Sequence, residues 1–121
     1  MVRGRDGLDE ITLSGPTVIH EATPEGVRRF DIAPGEFGLA PASLDAVRGG
    51  SAETNAALIL ELFEGRRRDV ARDLVLVNAA ASLHVAGLAS TLRAGVLLAA
   101  QALDSGAAAE KLAQLRERSH Q

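Results

Sequence analysis

The residues best suited to chemistry stand close to the N-terminus, in Gly4-Arg5-Asp6-Gly7-Leu8-Asp9-Glu10. Two glycines bracket an acid, and two further acids follow side by side. Glycine lacks the Cβ that penalises positive φ, so it permits a sharp turn or a close approach of the backbone to a ligand. Adjacent carboxylates at the end of such a turn are hard oxygen donors, suited to a Mg²⁺ shared between protein and a phosphate-bearing substrate. An acidic surface turn has the same composition, because Gly and Asp favour turns for purely local reasons. The seven residues by themselves fit both.

Other chemistries have little support. The chain has no cysteine, which removes disulfides, thiolate catalysis and thiolate metal sites. His20, His84 and His120 have no metal-ligand spacing, and His84 falls on an apolar helical stretch where a satisfied core histidine is expected. No serine lies in a Gly-x-Ser-x-Gly elbow. Gly4-x-x-Gly7 is no dinucleotide fingerprint, because no helix follows it. A formal charge of −3 and a single basic run, Arg66-Arg67-Arg68, give no footprint for nucleic acid; the run reads as solvated surface. With three Phe and no Tyr or Trp, stacking platforms are not expected. The first ten residues lack a signal-peptide pattern, and no apolar run reaches the ~20 residues of a membrane helix. A cytoplasmic chain without membrane or nucleic-acid partners is expected.

The elements that must position the acidic pair follow from periodicity. Val2 and Arg3 read as the tail of a strand. Ile11-Thr12-Leu13 alternates like a half-buried strand, and Thr17 to Glu21 is a β-branched second candidate. Val27 to Ile32 is a third, with Phe30 and Ile32 on its inward face. Ser14-Gly15-Pro16 and Pro24-Glu25-Gly26 supply turns, giving a small antiparallel meander. Pro34 opens one helical turn and Ser43 caps another, Leu44 to Arg48. From Ser51 onward the pattern is helical. Ser51 caps a first helix that Gly65 ends, Asp69 opens a second that Gly87 ends, and Ser90 caps a third through Leu103. Gly106 then precedes a last helix carrying Leu112 and Leu115. Val70, Leu74, Val77, Ala81 and Val85 form one stripe of the second helix, and apolar residues fill its other faces. It is expected to be central and buried nearly all round. Asn78 within it is expected to satisfy neighbouring backbone.

The segment Arg3 to Glu10 resembles the Val-His-Gly-x-Asp-Gly-Leu-Asp-Glu signature of the anthranilate phosphoribosyltransferase family. The resemblance continues through Gly15 to Val18, Phe37-Gly38-Leu39, Leu44 to Gly50, and Asn55-Ala56-Ala57. It extends over Asn78-Ala79-Ala80-Ala81, Val85-Ala86-Gly87 and Ala102-Leu103-Asp104-Ser105-Gly106. It spans nearly the whole chain but only about the C-terminal third of a family member. The fold it implies is an α+β fragment of an α/β phosphoribosyltransferase domain: a short N-terminal β meander followed by a four-helix run. Residues 1–121 then form a single partial domain, with 1–50 mostly strands and turns and 51–121 helices.

The resemblance also implies a function. Family members transfer phosphoribosyl from phosphoribosyl pyrophosphate to anthranilate in tryptophan biosynthesis. Asp9 and Glu10 match the family's Mg²⁺-binding carboxylates, so Mg²⁺ is the implied cofactor. The Gly-Thr-Gly-Gly-Asp loop, the Asn-x-Ser/Thr segment and the Lys-His-Gly-Asn segment that hold the pyrophosphate are absent from this sequence. So is the arginine associated with anthranilate. Arg3 replaces the signature's histidine and reads as a strand-end surface residue. Met1 falls where the strand is already under way, so the chain is expected to start within a domain. Phosphoribosyl pyrophosphate and anthranilate are expected as partners only with the missing N-terminal part, and the chain alone is expected to be inactive. A homo-oligomer or a complementing chain is a further expected partner. A non-enzymatic remnant acting as a helical interaction module is the alternative, and an independent metal or phosphate binder a third. Without the upstream strands, Val2, Ile11 and the face of helix 70–86 are expected to be exposed, favouring self-association.

Overall fold

The computed structural model describes residues 1–119, and the expectation for His120 lies outside them. The chain is a small α+β structure, a three-stranded antiparallel sheet followed by four helices. Strand β1 (Val2–Gly4) pairs with β2 (Thr17–Thr23), and β2 pairs with β3 (Gly26–Ile32), in the order β1-β2-β3. The register sets Gly4 opposite Thr17 and Thr17 opposite Ile32, so one end of the sheet gathers the residues next to the acidic turn. The β2–β3 connection has only Pro24 and Glu25 between the paired Thr23 and Gly26, and Gly26 takes φ +133°. β3 departs from the expected inward face. Ile32 is buried, but Phe30 remains 39% exposed, because the hairpin packs chiefly on itself rather than on the helices.

Single 3₁₀ turns follow at Pro34–Phe37 and Leu44–Val47, the second capped by Ser43. The helices are α1 (Ala52–Phe63), α2 (Val70–Val85), α3 (Leu92–Asp104) and α4 (Ala107–Ser119). Ser51 Oγ accepts the Thr54 N–H and Asp69 Oδ1 the Ala71 N–H, caps each worth about 1 kcal/mol. The third cap differs from expectation. Thr91, not Ser90, accepts the Ala94 N–H at 3.1 Å, because the helix begins one residue later, at Leu92.

The core joins Ile11, Leu13, Ile32 and Phe37 to Leu76, Val77 and Ala80 of α2 and to Val96, Ala99 and Leu103 of α3. α2 is central, since its contact with α3 is the largest between helices, but it is not buried all round. Val75 is partly open and Val85 is 84% exposed, because α3 covers one side of α2 and the sheet-proximal loop another. The α2–α3 contact is tight. A Cβ on Gly95 would lie 2.7 Å from the carbonyl oxygen of Ala80, so only glycine admits this approach.

Two further expectations are corrected. Ile11-Thr12-Leu13 is not a half-buried strand; it is irregular, and all three residues are buried. Side chains take the place of a partner strand: Asn78 binds the backbone of Ile11 on both its N–H and its carbonyl, and Thr17 Oγ1 accepts the Thr12 N–H. Ile11 is therefore enclosed, at 1% exposure, rather than open. Val2 is half-buried, and large apolar residues stand open on the helices at Val85, Leu97 and Leu115 and in the α2–α3 loop at Leu88.

Candidate acidic corner

The turn after β1 is built around the carboxylate of Asp6. Its Oδ1 accepts the Leu8 N–H at 3.0 Å, and its Oδ2 accepts the hydroxyls of Thr12, at 2.5 Å, and of Ser14. These donors favour the charged form and hold the Asp6 carboxyl below the usual carboxylate range, the Ser14 hydroxyl contributing most and Thr12 next. The main chain closes the same turn. Gly4 N–H donates to the Leu8 carbonyl at 2.8 Å, Gly7 N–H to the Gly4 carbonyl at 3.1 Å, and Arg5 N–H to the Pro16 carbonyl at 3.0 Å. Both glycines of the opening motif have a cause here. Gly7 takes φ +102°, and a Cβ on Gly4 would lie 2.4 Å from Asp6 Oδ1.

Asp9 and Glu10 occupy the exposed crest between this turn and Ile11. On their C-terminal side Asn78 of α2 grips Ile11. Its Oδ1 accepts the Ile11 N–H at 2.9 Å, and its Nδ2 donates to the Ile11 carbonyl and to the Leu74 carbonyl, each at 3.0 Å. The acidic pair thus sits on backbone anchored at Leu8 and at Ile11. Among the described residues, neither carboxylate makes an ion pair, and no third metal-ligating side chain joins them. Two adjacent hard oxygen donors fit Mg²⁺, which commonly takes one or two carboxylates and completes its octahedron with water and phosphate oxygens.

The structure does not draw the other candidates into this corner. His84 donates from Nδ1 to the Ala89 carbonyl at 2.9 Å and so secures the loop after α2, as expected of a structural histidine. His20 is an exposed β2 residue. Arg66 pairs with Glu64, Arg67 with Glu61 and Asp69, and Arg68 with Asp104, so the basic run is spent on neighbouring carboxylates. Arg3 is exposed on β1 and makes no ion pair among the described residues. Asp6 stood in the opening motif as the acid between two glycines, but neither periodicity nor motif spacing pointed to Thr12 and Ser14 as its hydrogen-bond donors.

Several segments that carried the sequence resemblance have structural work. Asn55 accepts the Gly50 N–H and donates to the Gly50 carbonyl, closing the glycine turn before α1. Asp104 receives Arg68 and Arg72, tying the end of α3 to the start of α2.

Residues 1–109 match the model of the "Glycosyl transferase family, a/b domain". The chain is 50% identical to the anthranilate phosphoribosyltransferase of Hyphomonas neptunium over 112 residues, which is 93% of this chain and 33% of that protein. It is 50% identical to that of Trichlorobacter lovleyi over 118 residues, 95% of this chain and 34% of the relative. The chain therefore spans about a third of the length of the curated relatives it matches. Among solved structures, anthranilate phosphoribosyltransferase from Thermus thermophilus superposes with a TM-score of 0.77 at 37% identity, over 87% of this chain and 30% of that one. The Saccharomyces cerevisiae enzyme in complex with PRPP and Mg superposes with a TM-score of 0.80 at 26% identity, over 92% and 32%.

Proposed function

The chain belongs to the glycosyl transferase family through its α/β domain, and from that premise we propose that it is the C-terminal portion of an anthranilate phosphoribosyltransferase. The reaction is transfer of phosphoribosyl from phosphoribosyl pyrophosphate to the amine of anthranilate. The contribution of this portion is the Asp9–Glu10 corner, as ligands for Mg²⁺. When bound, Mg²⁺ supplies neutralisation of charge on the pyrophosphate leaving group. Asp9 and Glu10 provide the anionic oxygens, and Asn78 and the Asp6 turn hold the main chain that carries them.

The observation that carries this reading is the pairing of two adjacent, exposed carboxylates with backbone anchored on both sides, in a chain half identical to enzymes of that name. The motivation for inactivity of the chain alone is the lack of the pyrophosphate-holding loops, since positioning and charge neutralisation dominate such a transfer. The test is anthranilate-dependent release of pyrophosphate by the 121-residue chain, with and without the portion of a relative that it does not cover. Activity is expected only with both; activity of the pure chain overturns the inactivity claim, and none in either arm removes support for the transferase reading.

A second reading, a non-enzymatic helical interaction module, draws on the apolar residues left open on α3 and α4, Leu97, Leu98 and Leu115. Capture of a complementing transferase portion with recovery of activity decides against it.

A further inference from the structure

We propose that Asp6 is the positioning residue of the acidic corner: its carboxylate ties Leu8, before the acidic pair, to Thr12 and Ser14, after it. The inference rests on the reading of Asp9 and Glu10 as cation ligands and adds the residue through which they are held.

Three observations carry it. First, the donors to Asp6 flank the pair on both sides, Leu8 N–H on Oδ1 at 3.0 Å and Thr12 Oγ1 on Oδ2 at 2.5 Å, with Ser14 Oγ also on Oδ2. A single side chain therefore fixes the chord across which Asp9 and Glu10 lie. Second, the surroundings are shaped to this carboxylate. Gly4 has no room for a Cβ, which would meet Asp6 Oδ1 at 2.4 Å and Thr12 Cγ2 at 3.1 Å. Thr12 is itself only 1% exposed, and its N–H is held by Thr17 of β2, so the tie reaches the sheet. Third, Asp6 is spent as an acceptor. Both of its oxygens are engaged by donors within the turn, which separates it in role from Asp9 and Glu10. A carboxylate is needed there because two hydroxyls and an amide all donate to it; an asparagine offers one acceptor oxygen and two unwanted donors. Orienting partners of this kind typically change metal affinity 10–100-fold when removed.

The experiment titrates the 121-residue chain with MnCl₂, the paramagnetic ion standing in for Mg²⁺, and follows broadening of the backbone amide signals of residues 8–11. Asp6→Ala, Asp6→Asn and the double variant Asp9→Ala/Glu10→Ala are compared with the parent chain. Leu62→Ala, in α1 and outside the core cluster that holds Ile11, is the control for loss of stability alone. The expected result is broadening in the parent chain that the double variant abolishes. Asp6→Ala then binds Mn²⁺ about tenfold or more weakly, with Asp6→Asn between it and the parent. Leu62→Ala melts at lower temperature yet binds as the parent does. Parent-like Mn²⁺ affinity in Asp6→Ala overturns the positioning role while leaving the acidic pair intact. Should Asp6→Ala not fold, Asp6→Asn decides by the same comparison. No broadening in the parent, or broadening that the double variant retains, overturns the cation reading and with it the role of Asp6.

Discussion

Asn78 closes both backbone hydrogen bonds of Ile11, accepting its N–H at 2.9 Å and donating to its carbonyl at 3.0 Å across 67 residues of sequence. The side-chain amide does for Ile11 what a neighbouring strand does for a paired residue. It lets an irregular segment enter the core without orphaned polar groups. It also fixes the backbone directly after Asp9 and Glu10 to the central helix.

Asn78→Leu is expected to lower stability by about 1–3 kcal/mol or more, because it strands the Ile11 N–H and carbonyl in a buried setting. Asn78→Asp is expected to cost least at low pH, where the neutral acid keeps an acceptor for the Ile11 N–H and one O–H donor; once ionised, its second oxygen faces the Ile11 and Leu74 carbonyls with nothing to donate. Urea denaturation measures both. Parent-like stability in Asn78→Leu contradicts the clamp.

The α2–α3 contact makes a second prediction. Gly95→Val drives side-chain atoms toward the Ala80 carbonyl, where even a Cβ would sit at 2.7 Å. The helices must separate, at a cost of about 1–3 kcal/mol for overpacking. Thermal melting followed by circular dichroism reads this loss, and an unchanged midpoint counts against the close approach.

Much of the fold was legible in the sequence because local rules governed it. Ser51, Asp69, Gly65, Gly87 and Gly106 mark helix ends through capping and positive φ, which neighbouring residues alone determine. The β-branched run Thr17 to Glu21, the turn at Pro24-Glu25-Gly26 and the alternation of Val27 to Ile32 marked the hairpin, whose strands extend to Thr23 and begin at Gly26. Ile11-Thr12-Leu13 misled because alternation signals a strand only when a partner strand exists, and its partner is a helix side chain 67 residues away. Val85 misled because helical periodicity specifies a stripe but not how far along it a neighbour extends. At the corner, the acidic pair was visible as a motif. The Asp6–Thr12–Ser14 network was not, since it depends on the fold of the turn rather than on spacing.

The Asp6 carboxyl gives a pH dependence. Its folded value lies below the ordinary carboxylate range, so its contribution is fully present above the unfolded value. It is lost as pH falls through the folded one. Acidification in that window is expected to loosen the turn and lower the protection of the Leu8 amide relative to its intrinsic exchange rate, and Asp6→Asn should flatten the effect. Protection at Leu8 that keeps the same acid dependence in Asp6→Asn contradicts the assignment.

The open apolar surface predicts association. Val85, Leu88, Leu97 and Leu115 are each more than 60% exposed. Exposed apolar groups of this size favour contacts between molecules when they lie close enough to form a patch. Sedimentation velocity at increasing concentration should show self-association of the 121-residue chain, and a concentration-independent monomer counts against it.

The central claim is that Asp9 and Glu10 serve a Mg²⁺-dependent phosphoribosyl transfer. The most direct measurement reconstitutes this chain with the portion of the Hyphomonas neptunium relative that it does not cover. Mg²⁺-dependent release of pyrophosphate from phosphoribosyl pyrophosphate is then followed in the presence of anthranilate. The account predicts activity with the parent chain and a loss of at least about a hundredfold with Asp9→Ala/Glu10→Ala, the size expected when charge stabilisation at a leaving group is removed. The helices should remain folded by circular dichroism. Equal activity in the parent and the double variant would contradict it.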